Sequence, residues 1–355
     1  MKLPSLKIGD LTIRIPIIQG GMGVSVSKAS LASAVSMAGG LGVIASVGLG
    51  EEMDLSIPYR ERSKLALSAE IKKVKDKGLS VGVNVMVALT NFGDMVKTSA
   101  EMGADVLLAG AGLPLRLPEY AGDSPMKLVP IISSARAADI IFRSWIKKYS
   151  RFPDAIVVEG PMAGGHLGFK LDDLVNHTAS DLDTLVRETL EVTERYQQQA
   201  GREIPVVAAG GVFTGSDIAR FINMGASGVQ MGTRFVATEE CDVSQEYKQA
   251  FVDATEDDVA VILSPVGLPA RVIKTPFVAK SLGERQQFNC FYKCLITCNA
   301  DKANYCIALA LLNSYKGDMN EGFPMCGENV YRVKNIVKVQ ELMDELTTEA
   351  EPLLT

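Results

Sequence analysis

The sequence predicts an α/β chain folded as a (β/α)8 TIM barrel, with an appended C-terminal, mostly helical cap. Three observations carry that expectation. Eight short apolar runs recur along the first 240 residues, amphipathic stretches separate most of them, and glycine-rich turns end four of them. The runs are residues 15–19, 41–45, 80–86, 105–109, 127–132, 155–159, 205–209 and 228–231. They are near-continuous rather than alternating, as parallel strands covered on both faces should be. Eight such strands, most followed by a helix, match a closed barrel. A doubly wound sheet is the alternative and usually needs only five or six.

Taken in order, residues 29–50 form a stretch of 22 without a charge, long enough for a membrane span. Five glycines and four serines interrupt it, with Gly39-Gly40 at its middle. A short helix, a turn and a buried strand are therefore expected there. Residues 62–77 are charged, with Leu65, Leu67, Ile71 and Val74 at helical spacing. Residues 181–199 and 216–224 read the same way. Thr214-Gly215-Ser216-Asp217 is a helix start with an acidic residue at the third position. Beyond residue 240 the pattern changes. Ser264-Pro265-Val266-Gly267-Leu268-Pro269 is a loop, residues 288–315 are cysteine-rich with mostly helical spacing, and residues 335–349 form a last amphipathic helix. The expected division is a barrel over residues 1–240 and a cap on the substrate side over residues 241–355.

Composition narrows the function. The chain has 355 residues, 47% hydrophobic and 22% charged, which is ordinary globular composition. Its formal net charge is −6 and it carries no block of Lys and Arg, so no nucleic-acid partner is expected. The start shows no apolar core of signal-peptide length, so a cytoplasmic protein with no membrane partner is expected. Five of the six cysteines follow residue 289, and without a secretory signal they suggest thiol or metal chemistry over disulfides.

In such barrels the active site lies at the C-terminal strand ends, and the loops after strands 7 and 8 hold a phosphate. A phosphate needs bare backbone N–H groups, and glycine permits the close approach. Gly210 and Gly211 after strand 7, with Gly232 and Thr233 after strand 8, meet that need together. His166 follows Gly164-Gly165 at the end of strand 6 and should face the site, where an imidazole can handle a proton. His177 is the only other histidine and reads as structural or surface, which excludes a three-histidine metal site. Cys290, Cys294 and Cys298 are spaced four apart, with Cys306 further on. They are candidate ligands for zinc or an iron–sulfur cluster, or else a stripe of small core residues.

The motifs resemble a known family. Pro16-Ile17-Ile18-Gln19-Gly20-Gly21-Met22, Gly39-Gly40-Leu41-Gly42, Gly82-Val83-Asn84, Glu159-Gly160-Pro161-Met162-Ala163-Gly164-Gly165-His166, Ala208-Ala209-Gly210-Gly211 and Gln230-Met231-Gly232-Thr233-Arg234-Phe235 are similar to those of the nitronate monooxygenases, once called 2-nitropropane dioxygenases. The flavin-dependent enoyl-acyl-carrier-protein reductases share nearly the same motifs. The resemblance covers about residues 8–280 and implies a non-covalent FMN at the strand ends. It would set Gly21, Met22 and Asn84 along the ring and ribityl chain, Gly164 and Gly165 close to the flavin, and Gly210, Gly211, Gly232 and Thr233 at the phosphate. His166 matches the family's histidine beside the flavin. The segment Ser264–Arg271 is closer to the nitronate branch, with Arg271 either in a surface ion pair or toward an anionic substrate.

The expected function is FMN-dependent oxidation of alkyl nitronates, a small-molecule substrate, with O2. An NAD(P)H-dependent enoyl-acyl-carrier-protein reductase is one alternative. A flavin or metal redox-sensing or partner-binding module, worked by the cysteine tail, is another. A homodimer stays open.

Overall fold

The computed structural model describes residues 1–355 except Glu52, Leu55, Phe291 and Tyr292. A hairpin opens the chain, β1 (Leu6–Ile8) and β2 (Leu11–Ile13), turning at Gly9 with φ 61°. The barrel then runs β3 (Ile17–Gln19), α1 (Ala29–Ala38), β4 (Val43–Ala45), α2 (Tyr59–Lys75), β5 (Gly82–Met86), α3 (Phe92–Glu101) and β6 (Val106–Gly110). It continues with α4 (Leu117–Ala121), β7 (Lys127–Ile132), α5 (Ala135–Tyr149) and β8 (Ile156–Glu159). The loop after β8 contains the two-residue β9 (Gly165–His166) and α6 (Leu171–Val175). The last barrel elements are α7 (Leu182–Ala200), β10 (Val206–Ala209), α8 (Gly215–Asn223), β11 (Gly228–Met231) and the short α9 (Thr233–Val236).

Eight parallel strands are hydrogen-bonded in the order β3-β11-β10-β8-β7-β6-β5-β4, and a bridge from Ile18 to Leu41 closes the ring. All eight expected runs are strands, and residues 29–50 resolve into α1, a left-handed turn at Gly39 (φ 102°) and β4. Among the described residues no helix is long and apolar enough to cross a membrane. The helices are set by local chemistry. In α5, Ala138, Ile141, Phe142 and Trp145 are the buried positions, and the Ser134 hydroxyl accepts from Ala137 N–H at its start. Burying one such large side chain contributes about 1.5–3 kcal/mol.

The barrel interior holds Ile18, Val43, Leu108, Val129 and Val207, joined by Leu6, Ile8 and Ile13 of the hairpin. The hairpin thus plugs the N-terminal end with three fully or nearly buried apolar residues. That leaves the opposite end of the barrel open to a ligand.

After α9 come α10 (Gln245–Asp253), β12 (Val259–Leu263), β13 (Pro269–Ile273), α11 (Pro276–Gly283), α12 (Ile307–Tyr315) and α13 (Val339–Ala350). Strands β12, β13 and β9 form one antiparallel sheet, so the loop after β8 is stitched to the C-terminal region. The final helix α13 returns to the barrel's outer ring, where Glu349 accepts from Gly215 N–H at 2.8 Å. The stretch 288–315 departs from the helical expectation. Only α12 is helical, and Phe291 and Tyr292 lie outside the described residues. Lys293 has φ 45°, a left-handed value that no α-helix passes through, and the Asn299 side chain accepts from Asp301 N–H to make a turn. The fourfold cysteine spacing imitates a helical period without a helix.

Candidate active site

One cavity opens at the C-terminal ends of the strands. Gly21, Met22, Asn84, Gly164, Gly165, His166, Gly210, Gly211, Gly232 and Thr233 all line it. His177 does not, and is exposed on a loop.

The glycines are required by close approach. A Cβ on Gly21 would stand 2.2 Å from Asn84 Cβ, and one on Gly164 would stand 2.6 Å from the Cys326 carbonyl carbon. Gly210 and Gly211 have φ 89° and 98°, a region costly for any other residue, and a Cβ on Gly210 would meet the Gly160 carbonyl oxygen at 2.9 Å. These residues keep the strand ends bare, with backbone facing the cavity.

Buried polar side chains hold those ends in place. Gln19 at the end of β3 is fully buried; it accepts from Val43 N–H at 2.9 Å and donates to the Gly20 carbonyl. Asn329 donates to the Gly211 carbonyl at 2.9 Å, and the Thr233 hydroxyl accepts from Gly327 N–H at 3.0 Å. The segment around residues 327–329 therefore locks the two turns read as a phosphate site. The backbone N–H groups of Gly211 and Gly232 donate to no acceptor among the described residues. The start of α8 is different. The Asp217 carboxylate accepts from Phe213 and Thr214 N–H and Glu349 accepts from Gly215 N–H, so the protein itself occupies that helix start.

His166 is fixed from two sides. Its backbone pairs with Ala270 in β13, and its Nε2 lies 2.9 Å from the Ser264 hydroxyl. Ser264 Oγ also accepts from Val266 N–H at 3.3 Å. Burial lowers the imidazole pKa to about 4, so it is neutral near pH 7. Glu159, at the end of β8, is raised to about 7 by burial. Among the described residues no Lys or Arg lines the cavity. The Gln230 Oε1 atom is buried there without a hydrogen-bond partner among the described residues.

Arg271 corrects the expectation of a surface pair. It is 3% exposed, and its guanidinium pairs with Glu328 at 2.7 Å. It also donates to the carbonyls of Pro161 at 2.7 Å and Ala163 at 2.5 Å. It braces the glycine loop carrying His166 and stands behind the cavity wall rather than in it.

Gln230, Glu159, Ser264 and Asn329 were given no site role from the sequence. Glu159 and Gln230 each sit beside a strand-end glycine turn, which is a usable signal. The contact of Asn329 spans 118 positions and has none.

Known proteins resemble the chain over most of its length. The profile of the family described as nitronate monooxygenase matches residues 5–349. A probable nitronate monooxygenase of Staphylococcus saprophyticus is 30% identical over 304 residues, 79% of this chain and 81% of that protein. The (3aS,4S,5R,7aS)-5-hydroxy-7a-methyl-1-oxo-octahydro-1H-indene-4-carboxyl-CoA dehydrogenase of Mycobacterium tuberculosis is 31% identical over 269 residues, 76% of this chain; the chain spans 65% of that relative's length. Among solved structures, FabK from Thermotoga maritima matches with TM-score 0.75 and 29% identity, covering 96% of this chain and 94% of FabK. Nitroalkane oxidase from Streptomyces ansochromogenes shares the fold, with TM-score 0.73 and 20% identity over 95% of this chain and 96% of that one.

Proposed function

The chain belongs to the nitronate monooxygenase family and is an oxidoreductase, and from that premise we propose that it binds one FMN in the cavity and oxidises alkyl nitronates with O2. The residues fit a flavin. The bare turns at Gly210–Gly211 and Gly232–Thr233 offer unpaired N–H groups and a hydroxyl, a donor set for a terminal monophosphate. The partnerless Gln230 Oε1 offers an acceptor deeper in the cavity, and the Gly21–Asn84 contact leaves a smooth wall for a flat ring. Gly164 and Gly165 complete that wall.

Bound there, the flavin supplies an electron acceptor. The chain supplies position and proton handling. The Ser264 hydroxyl, 2.9 Å from Nε2, orients the neutral His166 imidazole, which handles the proton at the substrate. Residues 1–240 carry the cofactor, and residues 241–355 form the substrate side through Tyr247, Leu295, Leu311 and Met325 on the cavity wall. The observation that carries the reading is the convergence of His166 and the four phosphate-turn residues on one cavity. His166→Ala tests it. Flavin should be retained while kcat falls about 10²–10⁴-fold; near-normal kcat at full flavin occupancy would overturn the role.

Two observations favour a second reading, an enoyl-thioester reductase. Among the described residues the cavity wall has no Lys or Arg to meet an anionic substrate, and FabK is similar over nearly the whole chain. Anaerobic flavin reduction by nitronate or by NAD(P)H separates the two.

A further inference from the structure

Among the described residues no three His, Cys, Asp or Glu side chains are placed to hold a metal ion, Cys290, Cys294, Cys298 and Cys306 included. Unused bonding capacity lies instead along one backbone strand. The small sheet of the C-terminal region runs β12-β13-β9, so β12 is its outer strand. Its ladder sets Ala260 opposite Val272 and Ile262 opposite Ala270. Just beyond the strand ends, Lys274 N–H donates to the Asp258 carbonyl at 2.7 Å and Ser264 N–H to the Leu268 carbonyl at 3.0 Å, in the same register. The even-numbered residues therefore bond to β13. Backbone groups alternate sides along an antiparallel strand, so Val259, Val261 and Leu263 turn their N–H and C=O groups to the free edge. Among the described residues those groups have no backbone partner. On β13 the outward groups of Pro269, Arg271 and Ile273 are taken up by Leu167, Cys326 and Pro324.

Proteins usually protect such an edge with a charge, a proline or a bulge. The strand Val259-Ala260-Val261-Ile262-Leu263 has none of these. Its faces are occupied: Ile262 lies in the main core, and Val261 packs with Leu167 and Leu174. Leu263 is 57% exposed, and so, at 58%, is Val175 on α6, the helix packed against β12.

A second copy of the chain fits this edge. About a two-fold axis at Val261, two β12 strands run antiparallel, with Val261 opposite Val261 and Val259 opposite Leu263. Every outward N–H then meets an outward C=O. Charge selects the same register. Glu256-Asp257-Asp258 precedes the strand and the neutral turn Ser264-Pro265-Val266 follows it. The two-fold sets Asp258 opposite Ser264, Asp257 opposite Pro265 and Glu256 opposite Val266, so each acidic run meets the neutral turn of the other copy. A slide toward the acidic run would set carboxylates against apolar strand residues. A contact made by the same patch on both copies closes on itself and does not grow into a fibre.

We propose that β12 is a dimer interface, where two copies of this chain join edge to edge through Val259–Leu263 and merge their small sheets into one. The proposal does not depend on which substrate the cavity takes.

Sedimentation velocity on the full chain across the micromolar range tests it. The expected species has twice the 38.1 kDa chain mass. Val261→Pro removes an outward N–H that β13 does not use, a place where an edge strand tolerates proline. Leu263→Lys sets a charge opposite Val259 of the second copy, at a position exposed in the single chain. Each should raise the dimer dissociation constant about tenfold or more, with the circular dichroism spectrum unchanged. Should Val261→Pro fail to fold, Leu263→Lys decides alone. Amide hydrogen exchange over residues 259–263 should be slow in the wild type and fast in Leu263→Lys. A wild-type chain that sediments as a monomer throughout would overturn the proposal and leave the edge to an extended segment of another protein. So would a dimer as tight in folded Leu263→Lys as in the wild type, or a wild-type dimer whose residues 259–263 exchange as fast as in that variant.

Discussion

His166 Nε2 and the Ser264 hydroxyl meet at 2.9 Å across 98 positions of sequence, with Ser264 itself only 3% exposed. The pair joins the loop after β8 to the turn between β12 and β13. Removing the hydroxyl by Ser264→Ala should lower kcat roughly two- to tenfold, the weight of one hydrogen bond, with flavin content unchanged. The acid limb of the kcat–pH profile should lie near 4 in both proteins, because burial rather than Ser264 sets the imidazole pKa. A limb near the ordinary histidine value of 6.5 would contradict this.

Glu159 gives a second pH effect, of opposite sign. Its carboxyl, raised to about 7 by burial, is neutral below that pH and charged above it. An anionic substrate should therefore bind more weakly as pH rises through about 7. Glu159→Gln should flatten the rise in KM, measured with preformed nitronate and corrected for the substrate's own ionisation. A KM profile unchanged by the substitution would remove Glu159 from the site.

The phosphate turns predict the identity of the flavin. Heat release and mass spectrometry should recover FMN rather than FAD. Gly210→Ala places a methyl 2.9 Å from the Gly160 carbonyl oxygen at a φ of 89°. Strain of about 1–3 kcal/mol follows, and flavin affinity should fall by about tenfold or more in equilibrium dialysis. Full affinity in this variant would move the phosphate elsewhere.

Buried Arg271 pairs with Glu328, which is 31% exposed and lines the cavity. Arg271→Ala leaves Glu328 and two loop carbonyls without their donor. A loss of about 1–3 kcal/mol, from the loop carbonyls left without their donor, is expected in denaturant unfolding. Arg271→Met with Glu328→Leu should recover much of it. A single variant as stable as wild type would show that the pair is not structural.

The strands were legible because local rules dictate them. A doubly covered strand is apolar, as in residues 128–132, whereas Gly21, pressed against Asn84 of a distant strand, was placed by the family resemblance. The plugging hairpin was not legible, since Leu6, Ile8 and Ile13 are too few for a periodic signal. Arg271 was misplaced because burial depends on β13 pairing with β9, a contact the sequence does not announce. The cysteine segment misled for a different reason. Positions 290, 294 and 298 share the helical period, but Lys293 at φ 45° breaks the chain between them.

The central claim is that this cavity passes electrons from an alkyl nitronate to FMN. Anaerobic titration of the flavin-loaded protein with nitronate, followed at the flavin's visible absorbance band, tests it most directly. Bleaching by nitronate that reverses on admitting oxygen is the expected result. Bleaching by NAD(P)H with no response to nitronate, followed by reoxidation with an enoyl thioester, would contradict it and establish the reductase reading instead.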